Sequence, residues 1–146
     1  MHLPIRRRTF IAVALLLTSA SVAWASSAGF AIRVEGIDLG KADESKEPPQ
    51  FRVTLQQGQT ISLIAQGMAY PRGGAPSPTE PEAGAWLFDD AVFRLQPPTK
   101  KHDDKTVIPI RLIAEKVGIA RVRFVGIVLG YEKRYDLIVE VIATKK

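Results

Sequence analysis

Two places in this 146-residue chain carry residue types whose spacing could do chemistry: His102-Asp103-Asp104 and Asp89-Asp90. The first offers an imidazole beside two carboxylates, the donor types of a metal site. It stands among Lys100, Lys101 and Lys105, so solvated surface is the competing reading and no metal is expected. Copper-binding sandwiches use an N-terminal His or clustered Met, and Met68 is the only Met after Met1. Asp89 and Asp90 could act as a carboxylate pair, but neighbours along a strand point to opposite faces, and a solvated turn fits them better. The other chemical groups are missing. The chain has no Cys, which removes thiol nucleophiles, disulfides, Cys-ligated zinc and iron–sulfur clusters. A Ser-His-Asp triad would have to use His102, and no Ser sits in a nucleophile elbow. No phosphate-cradling glycine loop is present. A non-enzymatic protein without cofactors is expected.

The first 25 residues read as an address. Arg6, Arg7 and Arg8 precede the apolar run Phe10 to Leu17, and Ala23-Trp24-Ala25 offers a small-residue cleavage site. This is the layout of a secretory signal peptide over 1–25. Arg7, Arg8 and Phe10 also match the twin-arginine pattern, so Sec and twin-arginine export both stay open. An uncleaved anchor is the alternative, but Phe10 to Ala25 falls short of the roughly 20 apolar residues a spanning helix needs. No membrane span is expected after cleavage, and the destination is periplasmic or secreted in a bacterial cell. The leader holds three of the 20 basic residues and no acid. Residues 26–146 therefore keep 17 basic and 15 acidic residues, a net charge of +2 against +5 for the whole chain. That balance gives no electrostatic case for nucleic acid.

The elements that must position any site are strands. Phe51, Val53 and Leu55 alternate with polar residues; Gln57-Gly58-Gln59 is a turn; Ile61, Leu63 and Ala65 continue as a hairpin partner. Ala31 to Glu35, Trp86 to Phe88, Ala91 to Gln96, Val107 to Ala114, Ile119 to Val125 and Tyr135 to Ile142 give further strand signals. Residues 110–117 also fit helical spacing, so strand and helix remain open there, with Pro109 suiting an edge strand or bulge. Gly67 to Ala85, with four prolines and two glycines between Pro71 and Pro81, reads as a long loop without a ladder. Arg121 and Arg123 share one face, with Arg111 a candidate third member of a basic stripe. Six or seven strands without crossover helices predict one all-β domain over 26–146. The expected form is an antiparallel, immunoglobulin-like β-sandwich.

In such a sandwich alternate connections gather at one end, here Gly67–Ala85, Pro97–Lys105 and the Gly126–Arg134 turn. Trp86 and Tyr131 are aromatic anchors of the kind that dominates interfaces, with a core role for Trp86 as the alternative. Ser77-Pro78-Thr79-Glu80 followed by Gly84-Ala85-Trp86, the glycine-led strand from Gly118 to Phe124, and Gly130-Tyr131-Glu132-Lys133 follow in a recognisable order. Over about residues 51–142 the chain resembles the chagasin-like inhibitors of papain-type cysteine peptidases. Those domains carry Asn-Pro-Thr-Thr-Gly before a Trp, and later Arg-Pro-Trp. Here Ser77 stands for the Asn, Glu80 for the second Thr, and Gly130-Tyr131 for Pro-Trp. The resemblance implies that Pro78 and Thr79 enter a peptidase cleft with Tyr131 alongside, and that Gly84, Trp86 and Glu132 belong to the partner-binding set. The expected function is an exported protein-binding sandwich, in its sharpest form a peptidase inhibitor. A structural or accessory module of a periplasmic or cell-surface complex is the alternative.

Overall fold

The computed structural model describes residues 25–98 and 103–144. Arg7, Arg8, Phe10, His102 and the expected leader up to residue 24 lie outside the described residues. The elements are β1 (Ala25–Val34), β2 (Gln50–Gln56), β3 (Thr60–Pro71), β4 (Ser77–Pro78), β5 (Ala83–Phe88), β6 (Phe93–Gln96), β7 (Val107–Ala114), β8 (Gly118–Val128) and β9 (Tyr131–Ile142). One sheet has the order β1-β3-β7-β6 with β4 added on β3; the other has the order β2-β9-β8-β5. This is an immunoglobulin-like sandwich of two facing sheets, in which the third strand lies between the first and the seventh. Every ladder is antiparallel except β2–β9, which runs parallel from Gln50↔Asp136 to Gln56↔Ile142. Among the described residues no helix is long and apolar enough to cross a membrane.

Period-two burial explains the two layers. On β8, Ala120, Val122, Phe124 and Val128 are buried and point inward, opposite Leu137, Val139 and Val141 of β9 and Ile61, Leu63, Ala65 and Leu112 of the other sheet. Ala120, Val122, Leu137, Val139, Val141, Ile61, Leu63 and Leu112 form the main core cluster with Val34, Leu55, Phe93 and Ala114. A second cluster at one end joins Ala28, Phe30, Ala65, Phe124 and Val128. Each fully buried Leu, Val or Phe contributes about 1.5–3 kcal/mol, and this cysteine-free domain depends on that sum.

Several expectations need correction. Among the described residues nine strands form where six or seven were expected, with β4 inside the proline-rich stretch; β1 is also longer than expected, starting at Ala25 rather than Ala31. Residues 110–117 hold no helix: Val107–Ala114 is a strand paired on both sides, with β3 and with β6. Pro109 is tolerated because the β6 ladder ends at Gln96↔Arg111, leaving β7 one strand neighbour at that point. Arg111 does not join Arg121 and Arg123; it lies on the other sheet, where its Nη1 donates to the Pro97 carbonyl at 3.3 Å. Arg121 and Arg123 instead lie over Asp136, which is buried although it belongs to the outer face. Arg123 donates to both carboxylate oxygens, at 2.6 and 3.0 Å, and this hydrogen bonding raises the guanidinium pKa further.

Candidate functional site

The candidate site lies at the end of the sandwich around Gly67. A strand glycine between larger residues often marks a close backbone approach, and three segments approach here. Gly67 N–H donates to the Thr106 carbonyl at 2.9 Å, and its own carbonyl accepts from Thr79 N–H at 2.9 Å. A Cβ at this position would collide with the Thr79 carbonyl oxygen and lie 3.3 Å from Pro81 Cδ and 3.4 Å from Val128 Cγ2. The β3–β7 ladder stops at Gln66↔Val107, and the β3–β4 ladder starts at Met68↔Pro78. Gly67 is therefore where β4 takes over the position that β7 vacates. The β3–β5 and β6–β7 connections and the end of β8 all reach it.

The proline-rich stretch is not the structureless loop expected for Gly67 to Ala85. β3 continues to Pro71, the chain reverses through Arg72 to Pro76, and Ser77-Pro78 returns along Ala69 and Met68. Gly73 at φ +74° turns the tip, and Gly74 N–H donates to the Pro71 carbonyl at 3.4 Å. A proline fits β4 because, among the described residues, this two-residue strand has a neighbour on one side only. Pro78 is exposed and Thr79 half-buried, both laid against β3. The exposed tip is Arg72-Gly73-Gly74-Ala75-Pro76.

The β8–β9 connection is also shorter than the expected Gly126–Arg134 turn. β8 runs on to Val128, and only Leu129-Gly130 separates it from Tyr131. Both turn residues have positive φ, 49° and 80°, the requirement of a type I′ hairpin. Leucine in that conformation costs about 1–2 kcal/mol. Leu129 offsets part of this by packing on the smaller core cluster. Glu82 ties the turn to the β3–β5 connection: its N–H donates to Ile127 O at 2.8 Å, and its Oε1 accepts from Gly130 N–H at 2.8 Å.

The other predicted site residues divide between the two faces. Tyr131 begins β9 and is 38% exposed, with Lys133 Nζ 5.8 Å from its ring centroid. Glu132 lies on the outer face, where Arg134 Nη2 is 3.3 Å from its Oε2. Glu132 also borders a polar cavity of about 480 Å³ with Glu44, Glu47, Lys133, Arg134 and Tyr135. Trp86 points inward, its ring 4.9 Å from Phe124, and its Nε1 donates to the Ile108 carbonyl at 2.9 Å. This is the core role weighed for it in the sequence. Gly84 also faces inward, where a Cβ would collide with Ile108 Cδ1 and approach Phe124 Cζ to 2.9 Å. The structure thus lays Pro78 and Thr79 on β3 at Gly67, where Val128 of β8 also approaches, and sends Gly84, Trp86 and Glu132 elsewhere. Gly67 and Glu82 were missed as site residues; the signal for Gly67 was a glycine inside an apolar strand pattern.

Asp89 and Asp90 form a turn. Asp89 Oδ1 accepts from Ala91 N–H at 2.9 Å, and its carbonyl accepts from Phe93 N–H at 2.9 Å. Asp104 likewise accepts from Thr106 N–H, at 2.9 Å. A cavity of about 510 Å³ near Ile64, Leu95, Pro97, Pro109 and Arg111 includes none of the predicted site residues.

No family model matches the chain, and no curated protein sequence matches it. Among solved structures it is similar to a chimeric titin Z1Z2 functionalized with a KLER exogenous peptide from decorin. That likeness has 12% sequence identity and a TM-score of 0.41, and covers 81% of this chain and 99% of that one.

Proposed function

We propose that this chain is an exported, non-enzymatic β-sandwich that binds a protein partner through the end at which two connections and the end of β8 meet. The observation that carries the reading is the convergence of Thr79, Thr106 and Val128 on Gly67. Hydrogen bonds and packing hold these segments in one arrangement, so little ordering cost remains at binding. The resemblance to chagasin-like inhibitors suggests a papain-type cysteine peptidase as partner. In that version the exposed tip Arg72–Pro76 would lead into the cleft, with Pro78 and Thr79 bracing it from β3 and Tyr131 flanking it. Export to the periplasm or beyond follows from the basic, apolar and small-residue order of residues 1–25.

The test is capture of partners by the exported protein, compared with a variant in which Arg72–Pro76 is replaced by a two-residue turn. Loss of capture in the variant supports the reading, and micromolar inhibition of a papain-type peptidase by the unaltered protein supports its sharper form. Capture that survives both the shortened tip and Tyr131→Ala would overturn it.

A second reading, an accessory module that joins a complex through a sheet edge, is favoured by one observation. Among the described residues β5 has β8 as its only strand neighbour, and Ala83, Gly84, Ala85 and Leu87 are all exposed.

A further inference from the structure

The free edge of β5 combines features that most sheet edges avoid. Natural edges are blunted by lysines, prolines or bulges. β5 is Ala83-Gly84-Ala85-Trp86-Leu87-Phe88, with no charge and no proline, paired without a register shift from Ala83↔Ile127 to Phe88↔Val122. Its outer-face residues Ala83, Ala85 and Leu87 lie beside Ile127, Val125 and Arg123 of β8. Three of these are small or aliphatic residues at the edge itself, and Leu87 is 54% exposed. A one-sided strand presents its outward N–H and C=O groups at alternate residues, ready to pair with an incoming extended chain.

The flanks say which chain fits. Glu80 and Glu82 precede the strand, Asp89 and Asp90 follow it, and all four are exposed. Partners across a ladder must share a face, so two antiparallel copies of β5 can align symmetrically only about a residue. The two registers that pair most of the strand centre on Ala85 or Trp86. The first sets Glu80 opposite Asp90 of the other copy, and the second sets Glu82 opposite that same Asp90. Like charges directly opposite are destabilising, so the flanks oppose self-pairing.

We propose that β5 accepts by strand addition an extended segment of a partner protein, about six small or apolar residues long with Lys or Arg at both ends. This rests on the second reading above and names its occupant. The main-chain bonds supply affinity; the acidic flanks select the partner.

The test uses the exported protein and a ten-residue peptide of alternating valine and threonine with two lysines at each end. The comparators carry glutamates at the ends, or N-methyl groups on alternate backbone nitrogens. Titration should show the lysine-ended peptide binding about tenfold more tightly than the glutamate-ended one. Amide exchange at Ala83–Phe88 should slow on binding, and N-methylation should abolish binding. Glu80→Lys with Asp90→Lys, both at exposed positions, leaves each flank with one lysine and one acid and should abolish the preference. Equal binding of the two peptides with slowed exchange at β5 would overturn the charge rule while sparing the edge reading. Absence of binding, protection elsewhere, or a dimer of the protein that Leu87→Lys dissociates would overturn both.

Discussion

Gly84 and Gly126 stand opposite each other on the inner face of the β5–β8 ladder, and together they make room for an aromatic cluster. A Cβ on Gly126 would lie 2.5 Å from Phe30 Cζ and 2.7 Å from Phe124 Cε2. Those two rings pack edge to face at 4.7 Å, so neither can retreat without disturbing the other. Gly126→Ala should therefore destabilise the fold by about 1–3 kcal/mol, the usual cost of overpacking. Gly84→Ala should cost less, because part of its clash is with the mobile end of Ile108. Urea denaturation followed by Trp86 fluorescence checks the order of the two.

The Asp136 carboxylate is 1% exposed, whereas the Arg123 side chain is 29% exposed. Removing the arginine leaves the buried carboxylate with Arg121, 3.6 Å away and more exposed, as its remaining ion-pair partner among the described residues. Removing the acid frees a guanidinium that can turn to water. Arg123→Met should thus cost about 2–3 kcal/mol, and Arg123→Met with Asp136→Leu should recover much of that loss. A double-mutant cycle in urea measures the recovery; a double variant no more stable than Arg123→Met would contradict the argument.

Tyr135 links the two sheets: its hydroxyl oxygen accepts from Phe30 N–H at 3.1 Å, across a gap that Gly29 keeps open. Burial pushes its pKa above the ordinary value near 10. The folded protein therefore holds a proton that the unfolded chain releases. That contribution to stability is complete below the ordinary value and is lost as pH rises through the folded one. Tyr135→Phe should cost about 1 kcal/mol at neutral pH and show a shallower loss of stability in alkali. Thermal melts between neutral pH and the alkaline range test both.

At Gly67 the obstruction to a side chain is main chain rather than a flexible tip. Gly67→Ala should push Thr79 off β3 and separate β4 from Met68 and Ala69. The expected loss is about 1–3 kcal/mol, with faster proteolysis near Arg72 than in the parent. Limited proteolysis with a trypsin-like enzyme reads this directly. An unchanged cleavage rate would mean the β3–β5 connection does not depend on Gly67.

The sandwich was legible where burial is one-sided. Phe51, Val53 and Leu55, or Ala120, Val122 and Phe124, alternate because one face meets the core. β1 was shortened in that reading because its first half, Ala-Ser-Ser-Ala-Gly, is built of small residues that match an export cleavage region as well as a strand. β4 escaped notice because prolines seldom enter ladders, and only its single-neighbour position permits one. Asp136 looks like an ordinary outward polar residue; its burial comes from arginines two strand positions apart on the next strand, which periodicity cannot reveal. Gly84 was placed at an interface by resemblance, whereas its physical role is to admit Phe124 and Ile108.

The parallel β2–β9 ladder has a mechanical consequence. The chain enters this ladder at Gln50 and leaves it at Ile142, at opposite ends of the same seven paired positions. Tension between those points slides β2 against β9 along their common axis, loading all the pairs together instead of peeling them one after another. The β2–β9 ladder is therefore built to resist pulling between these two points far better than prying from the side.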